Sequence, residues 1–462
     1  MNKVIFDQEL IERYGGRGPR YTSYPTAVQF NSGFGEADYK AAVARTNAMP
    51  IPDPLSIYVH IPFCHSLCYY CGCTKIVTRN QERAERYLVP LFKDIELQAE
   101  LFDIDRQVQQ LHLGGGTPTY LTPEQMGRMM AKFRQHFNLR LDGKQEFSIE
   151  IDPRTATPED IAGMGEVGFN RVSLGVQDFD PDVQKAVNRI QSVEETQGLI
   201  TAARQSGFNS VSLDLIYGLP LQTVKTFDRT LDTVLEMRPD RLAIYSYAHL
   251  PQMFRAQKLV QEDQLPTPET KLEIFRRTTE RLTGEGYVYI GMDHFALASD
   301  ELVQAQQRGE LQRNFQGYST HAKCDLIGVG MSAIGRVGDS FSQNVKDLGV
   351  YTSMLEKGQM PIERGYTMSE DDRIRAAVIQ EVMCHGKLDF DAASASLGIN
   401  FKEYFAKEFP QLEVLDKDGL IDLGEKGLLV TERGRLLLRP IAMVFDYYLQ
   451  NAQEKPRFSK VI

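Results

Sequence analysis

The sequence has no long apolar run, and no stretch of it approaches the ~18 consecutive apolar residues of a membrane-spanning helix. Its first residues also lack the apolar segment of a signal peptide. Basic residues are the minority, because 52 Lys and Arg stand against 62 Asp and Glu and give a formal net charge of −10. An acidic chain disfavours general nucleic-acid binding, which needs a basic face. We therefore expect a cytoplasmic protein without a membrane or nucleic-acid partner.

Cysteine is scarce, and its distribution excludes a disulfide framework. Of six cysteines, four lie within ten residues, at Cys64, Cys68, Cys71 and Cys73. The other two, Cys324 and Cys384, stand alone, and we expect both to be buried apolar residues. A disulfide framework would spread its cysteines along the chain. The bunching indicates metal or redox chemistry instead.

Length and composition fit a multidomain globular chain. The 462 residues are enough for about three domains, or for one α/β barrel with an appendage. Hydrophobic residues make up 42% and charged residues 25%, which argues against global disorder.

Short β-branched runs alternate with amphipathic segments from about residue 56 onward. The predicted strands are 56–61, 110–113, 146–151, 171–176, 210–216 and 241–246, and helical patterns of ten to twenty residues separate them. Threonine N-caps followed by proline mark helix starts at Thr122, Thr157 and Thr267. Six such repeats predict an α/β fold with a parallel sheet, arranged as a partial, open (β/α)6-type barrel.

The two ends of the chain depart from this alternation. Residues 1–50 contain no clear periodic element, and we predict an N-terminal arm that lies over the active site. Residues 51–345 form the predicted barrel, with one further strand at 287–291. Residues 346–462 are predicted to be a mainly helical C-terminal domain. That domain includes a β-hairpin at 420–423 and 428–431 and a following helix at 431–449. A winged-helix-like domain and a helical lid with a hairpin both fit this pattern.

The cysteine loop follows the first predicted strand and has the spacing C-x3-C-x2-C. Three thiolates on one short loop suit an iron–sulfur cubane in which one iron remains open to an exogenous ligand. A zinc site is the alternative, but structural zinc sites use two separate ligand pairs and no second pair of this spacing exists here. Cys73 lies one residue beyond the triad, and we expect it near the cluster without ligating it.

Polar and glycine residues follow the other predicted strands. A Gly114-Gly115-Gly116-Thr117 run ends the second strand and lets the backbone approach a ligand closely. Carboxyl ends of parallel strands meet at one edge, where α/β folds bind ligands. Arg171 and Arg189 are candidates for carboxylate binding. The remaining residues considered for this edge are Glu150, Asp152, Gln177, Asp178, Asp214, the run 245–249, Asp293, His294 and His321.

Taken in order, the cysteine triad and the runs GGGTPT, SIEIDP, GVQDF, LDLIYGLP and YAHLP resemble the radical S-adenosylmethionine (SAM) enzymes. More closely, the chain resembles the oxygen-independent coproporphyrinogen III oxidases. That closer resemblance includes the arm Arg20–Thr26, the run Asn314-Phe315-Gln316-Gly317-Tyr318 and the terminal Phe458-Ser459.

The resemblance implies one 4Fe–4S cluster held by Cys64, Cys68 and Cys71, and two SAM molecules. Residues that match first-SAM contacts are Tyr58, Gly115, Glu150 and Ile334. Those that match second-SAM contacts are Tyr70, Gly116, Thr117, Gln177, Arg189, Asp214 and Ala248. Gly114 is included as cofactor-binding because the roles within the glycine run are assigned to within one residue. Tyr70 departs from the phenylalanine usual in the family.

The implied activity is oxidative decarboxylation of two propionates of coproporphyrinogen III to vinyl groups, which gives protoporphyrinogen IX. The implied partners are that substrate, an electron donor and an electron acceptor, and the family suggests a monomer. One alternative is the related haem chaperones, which typically lack the Cys71-Gly72-Cys73 run and the long arm. The other is a zinc-stabilised binding module.

Overall fold

The computed structural model describes residues 4–321, 323–451 and 458. The chain forms two compact units, and each is assembled from separate stretches. We call Phe30–Lys271 with Lys323–Thr367 the sheet unit, and Met1–Gln29 with Leu272–Ala322 and Met368–Ile462 the terminal unit. Within the described residues, no helix is long and apolar enough to cross a membrane.

Six parallel strands form the centre of the sheet unit and confirm the predicted α/β fold. They are β1 (Leu55–Ile61), β2 (Gln107–Gly115), β3 (Glu146–Ile151), β4 (Arg171–Gln177), β5 (Ser210–Tyr217) and β6 (Arg241–Ser246). Each pairs in parallel with the next along the chain. Alternate side chains such as Ile57, Val59, Leu111 and Leu113 are fully buried. The carboxyl ends of all six strands therefore lie at one edge.

The sheet continues beyond β1 with strands that the sequence reasoning missed. The strand β7 (Asp325–Val329) pairs in parallel with β1. Three antiparallel strands follow: β8 (Ile334–Val337), β9 (Ser340–Asn344) and β10 (Ile362–Thr367). Among the described residues of this unit no pairing joins β6 to β1, so the arrangement is open as predicted.

Helices connect the parallel strands at nearly the predicted positions. Thr122 and Thr157 accept hydrogen bonds from the backbone N–H groups three residues on, and Gln125 completes a capping box. The helices of the sheet unit are Glu36–Asn47, Glu82–Ala99, Pro123–His136, Pro158–Glu166, Pro181–Ala186, Val193–Gln205, Val224–Met237 and Leu348–Glu356. Helix Pro268–Gly284 runs from this unit into the next along the chain.

The expectation that residues 1–50 lack a periodic element is wrong. Helix Glu36–Asn47 buries Tyr39, Ala42, Val43 and Thr46, which recur at the three- and four-residue spacing of one helix face. A shorter helix, Gln8–Tyr14, lies in the terminal unit and is capped by Asp7.

The terminal unit is mainly helical and contains small antiparallel sheets. The predicted strand Tyr287–Gly291 forms a hairpin with His294–Leu297. The predicted C-terminal hairpin is present as Ile421–Leu423 and Gly427–Val430, with Lys387–Asp389 as a third strand. The helices are Gln8–Tyr14, Glu301–Arg308, Glu370–His385, Phe390–Leu397, Phe401–Tyr404, Phe409–Lys417, Leu438–Met443 and Tyr447–Gln450.

The single helix predicted over 431–449 is wrong. The segment instead contains a 3-10 turn, Arg435–Leu437, and two short helices, Leu438–Met443 and Tyr447–Gln450. Pro440 removes a backbone donor, and Asp446 caps a new helix by accepting from Tyr448 and Leu449 N–H groups. Of the terminal Phe458-Ser459 pair, Ser459 lies outside the described residues.

A buried ion pair stabilises the amino-terminal edge of the sheet. Arg106 Nη2 donates to Asp325 Oδ2 at 2.6 Å, and the two side chains are only 1% and 7% exposed. The guanidinium also donates to Asp53 O, Thr46 Oγ1 and Asn47 Oδ1. Because the pair is desolvated, removing one partner leaves an uncompensated buried charge.

We predict that Arg106→Met lowers the free energy of unfolding by about 3–5 kcal/mol, because Asp325 then remains buried without its counter-ion. Arg86→Met is the control, since Arg86 and Glu82 form an ion pair whose side chains are 80% and 74% exposed. We expect a loss below about 1 kcal/mol for it. Urea unfolding of both variants measures the difference, and equal losses would contradict the prediction.

A second buried group makes stability depend on pH. Asp94 Oδ2 accepts from Gly330 N and Tyr351 Oη, both at 2.8 Å. Burial raises the pKa of Asp94 to about 6. Between about pH 4 and pH 6 the folded chain keeps a proton that the unfolded chain releases. The resulting stabilisation is present at low pH and is lost as the pH rises through about 6.

We predict that Asp94→Asn removes this dependence, because asparagine keeps one acceptor oxygen but does not titrate. Between about pH 4 and pH 7 the free energy of unfolding of the native chain should fall relative to the variant by about 3 kcal/mol. Urea unfolding of both chains across this range measures the effect. Parallel stability curves would show that Asp94 does not titrate in this range.

Candidate active site

The cysteine loop begins directly after β1 at the carboxyl edge of the sheet. Two short strands, Phe63–Cys64 and Ile76–Val77, pair in parallel and close the base of the loop. Cys64 and Cys68 are buried, Cys71 is half-buried, and all are free thiols. Cys73 is exposed and also free. The chain thus presents three cysteines of the predicted triad on one loop, with Cys73 just beyond it.

The thiols of Cys64 and Cys71 have different surroundings. Cys64 Sγ accepts a hydrogen bond from Thr117 Oγ1 at 3.5 Å, and burial raises the pKa of the Cys64 thiol to about 11. Hydrogen bonding from the Cys73 thiol lowers the pKa of Cys71 to about 5, against the opposing effect of burial. Lys75 Nζ also donates to the Cys71 carbonyl at 3.1 Å. Cys71 is therefore held towards its thiolate form, the form that binds metals.

The donor set fits a cluster better than a single metal ion. Within the chain as described, no group of three or more His, Cys, Asp or Glu residues could hold one metal ion. Zinc draws its ligands in to about 2.3 Å, which requires the sulfurs to converge. A four-iron cluster takes one thiolate per iron and so keeps its thiolates farther apart. The loop carries three free cysteines, which can supply one thiolate to each of three irons.

The glycine run packs closely against the cysteine loop and its neighbours. Gly116 N donates to Ile61 O at 2.8 Å, and a Cβ at Gly116 would lie 2.7 Å from the Phe63 carbonyl oxygen. Gly115 has φ +114°, and a Cβ there would lie 2.7 Å from the His60 ring. A Cβ at Gly114 would lie 3.0 Å from the Glu150 carboxyl group. Larger residues would displace these neighbours.

Glu150 organises a group of polar side chains beside the glycine run. Its carboxylate accepts from Gly115 N at 3.3 Å and lies 3.2 Å from His112 Nε2. Tyr58 stacks on the His112 ring with a centroid separation of 5.8 Å. Tyr58 Oη and His60 Nδ1 are 3.2 Å apart. Tyr58, Gly115 and Glu150, which the family resemblance assigns to one ligand, therefore lie in a single contact network.

Arg189 belongs to a second group, on the side of Cys68. It is buried, and Nε donates to Gly175 O at 3.0 Å while Nη1 reaches Asp152 Oδ2 at 3.1 Å. Gln177 lies just beyond, at a bulge where its φ of +70° is unusual for a non-glycine residue. The carboxyl end of β4 is thus irregular where the sequence predicted a functional residue.

The remaining predicted residues occupy the same edge or its continuation. Asp214 accepts from Ser173 Oγ at 3.1 Å, and burial, helped by the charge of Glu150, raises the pKa of Asp214 to about 7. Tyr70 packs on an apolar cluster of Val183, Val187, Leu219 and Tyr247. Ala248 follows Tyr247 beyond the end of β6, and Ile334 begins β8.

Other candidates lie away from this edge or have structural roles. Arg171 begins β4 at the opposite edge, 3.9 Å from Glu146. Asp178 accepts from Thr230 Oγ1 and Gln222 Nε2, so it has a structural hydrogen-bonding role. Cys384 is buried and Cys324 half-buried, and Asp293, His294 and His321 belong to the terminal unit.

Sequence reasoning missed four polar residues of this edge. His60, His112 and Ser148 occupy inward-facing positions of β1, β2 and β3, and Arg154 follows Asp152 by two residues. The signal for the first three was their alternation with fully buried residues along each strand. Arg154 gave no such signal, because it lies in a short 3-10 turn, Pro153–Thr155.

Comparison with known proteins places this geometry in a family. The model of the radical SAM superfamily matches residues 58–234, and that of the HemN C-terminal domain matches residues 368–437. The oxygen-independent coproporphyrinogen III oxidase of Pseudomonas aeruginosa is 50% identical over 462 residues, which is 100% of both chains. The enzyme of the same name from Escherichia coli is 47% identical over 463 residues, again 100% of both.

A solved structure agrees with the sequence comparison. Coproporphyrinogen III oxidase (HemN) from Escherichia coli, described as a radical SAM enzyme, is 46% identical and superposes with a TM-score of 0.92. The match covers 97% of this chain and 100% of that one. The chain belongs to the oxygen-independent coproporphyrinogen III oxidases, a family of the radical SAM superfamily.

Proposed function

We propose that this chain converts two propionate side chains of coproporphyrinogen III into vinyl groups and so yields protoporphyrinogen IX in haem biosynthesis. The observation that carries the proposal is the free C-x3-C-x2-C loop at the carboxyl edge of the sheet. It stands in a chain that matches named coproporphyrinogen III oxidases over its full length. For each propionate, the substrate loses one hydrogen atom, then CO2 and one electron. The electron needs an acceptor.

The radical SAM family supplies a 4Fe–4S cluster and SAM as cofactors. When bound, they provide the radical that takes a hydrogen atom from the substrate. We assign Cys64, Cys68 and Cys71 as the cluster ligands, because they share the loop and have the family spacing. Cys73 then acts near the cluster without binding it, since its thiol hydrogen-bonds to Cys71 and its side chain is exposed.

A first SAM molecule is assigned to Tyr58, Gly115, Glu150 and Ile334. The contact network of the first three supports this assignment, because the Glu150 carboxylate, held by Gly115 N–H, can accept from an amine or a hydroxyl. Stacking on His112 fixes the Tyr58 ring beside it. These side chains would orient the molecule and limit access of water to it.

A second SAM molecule is assigned to a separate set of residues. Arg189 supplies a buried guanidinium for a carboxylate, and Asp214, with its raised pKa, supplies an acceptor or donor near neutral pH. The other members of this set are Tyr70, Gly116, Thr117, Gln177 and Ala248. Gly114 is kept with the cofactor-binding glycines, because the roles within the glycine run are assigned to within one residue. Tyr70 keeps an aromatic surface where the family has phenylalanine.

The remaining assignments follow from the family and from composition. We propose a cytoplasmic monomer that takes electrons from a donor and passes electrons of the substrate to an acceptor. Residues 1–50 serve as an arm over the active site, 51–345 as the catalytic partial barrel and 346–462 as a C-terminal domain. The radical SAM match, at residues 58–234, falls within the second range, and the HemN C-terminal match, at residues 368–437, falls within the third.

The reaction itself is testable in one assay. We expect the anaerobically reconstituted protein to form the divinyl product from coproporphyrinogen III when dithionite and SAM are supplied. Product is measured by chromatography of the oxidised porphyrins. SAM cleavage without divinyl product, or haem binding alone, would favour a haem chaperone instead.

The ligand assignment is testable with a matched pair of cysteine variants. We predict that Cys68→Ser abolishes cluster binding, because a hydroxyl does not replace a thiolate at the iron. Cys73→Ser should keep about four irons per chain and lose activity only. Iron content and visible absorption after anaerobic reconstitution measure both. Iron at the native level in Cys68→Ser, or its loss in Cys73→Ser, would contradict the assignment.

A further inference from the structure

Two guanidinium groups converge on the sulfur of Cys68. Arg154 Nη2 lies 3.3 Å from Cys68 Sγ, and Arg189 Nη1 lies 3.4 Å from it. By contrast, the Sγ of Cys64 accepts from the neutral hydroxyl of Thr117, at 3.5 Å. Among the residues described, Cys68 is therefore the triad member whose sulfur has two guanidinium donors, whereas the Cys71 sulfur has the Lys75 ammonium beside it.

Asp152 holds both guanidinium groups in place. Arg154 Nε donates to Asp152 Oδ1 at 2.9 Å, and its Nη2 lies 2.6 Å from Oδ2 in a two-point contact. Arg189 Nη1 reaches the same Oδ2 at 3.1 Å. Burial opposes ionisation of Asp152, but Arg189 and Arg154 outweigh it and hold the pKa of this carboxyl below its usual value. Two cations share one anion, so one positive charge in excess faces the sulfur.

Further hydrogen bonds and burial hold this arrangement in place. Asp152 also accepts from the backbone N–H of Arg154, and Arg154 Nη1 donates to Asn188 O at 3.3 Å. The side chains of Asp152 and Arg189 are each only 8% exposed. In such a site water screens charge weakly, so the guanidinium groups act strongly on the sulfur.

We propose that Arg154 is a positioning residue that raises the reduction potential of the cluster through its hydrogen bond to Cys68. The proposal rests on the ligand assignment made above. A reduced cluster carries one more negative charge than the oxidised cluster, and part of it lies on the sulfurs. A charged N–H donor stabilises that reduced form more than the oxidised one, which makes the cluster easier to reduce.

A variant of Arg154 can test the effect on the reduction potential without changing an assigned SAM contact. Arg189 also donates to Cys68, but it is assigned to the second SAM molecule, so its loss would change two properties together. Arg154 has no such assignment, and its described contacts are with Asp152, Asn188 and Cys68. A potential measured without SAM therefore reports on the charged donor at Cys68 and is independent of SAM binding.

The test is a redox titration of the reconstituted full-length protein without SAM, followed by the electron paramagnetic resonance signal of the reduced cluster. We predict that Arg154→Met shifts the midpoint potential to more negative values, with iron content unchanged. At the potential where half of the native cluster is reduced, the reduced fraction of the variant should fall severalfold. Arg154→Lys should lie between the two, because it keeps the charge but loses the two-point contact with Asp152.

Arg140→Met is the matched control. Arg140 makes the same two-point contact with an aspartate two residues away, at 2.8 and 3.1 Å to Asp142, but it does not donate to a cysteine. Its potential should equal that of the native protein. Equal potentials for Arg154→Met and Arg140→Met would overturn the proposal.

Two further results keep the outcomes distinct. If Arg154→Met does not assemble a cluster, the midpoint potentials of Arg154→Lys and Arg154→Gln are compared instead. A potential of Arg154→Gln that equals or exceeds that of Arg154→Lys overturns the proposal. If the native protein itself binds no iron, the proposed function fails. If it binds the cluster and the potentials coincide, only the role of Arg154 fails.

Discussion

Parallel pairing of β1 with β2 is the constraint on which the candidate site depends. The register sets His60 opposite Gly114 and Ile61 opposite Gly115, so both strands end at the same level. The cysteine loop and the glycine run therefore leave the sheet side by side, and the hydrogen bond from Gly116 N to Ile61 O ties them together. A shift of one residue would turn the side chains of a strand to the opposite face. The buried strand interiors oppose such a shift.

Charge is distributed along this edge in a way that net charge does not reveal. The chain is acidic overall, yet two arginines and one aspartate surround Cys68. A few positive groups held in a poorly screened environment matter more to an anionic cluster than the surplus of acids elsewhere. Local geometry, rather than composition, thus decides which charges the site can use.

The sequence predicted the six parallel strands, because each is a short apolar run between turn residues. It missed β7, since Asp325–Val329 follows an irregular stretch that broke the alternation. It also missed helix Glu36–Asn47, whose buried face is partly alanine and threonine. The cysteine triad was predicted from its spacing alone. Arg154 was not predicted, because it is 86 residues from Cys68 in sequence. The 3-10 turn that follows Asp152 brings the two together.

Both units are discontinuous in sequence, and this has a consequence for synthesis of the chain. The strand β1 is made early, but its second parallel neighbour, β7, comes after the whole of β2 to β6. The terminal unit combines the first 29 residues with Leu272–Ala322 and Met368–Ile462. Chains emerge from the ribosome amino-terminus first. Neither unit can therefore complete its packing during most of translation, and the edge of β1 stays open to wrong partners until β7 has been made.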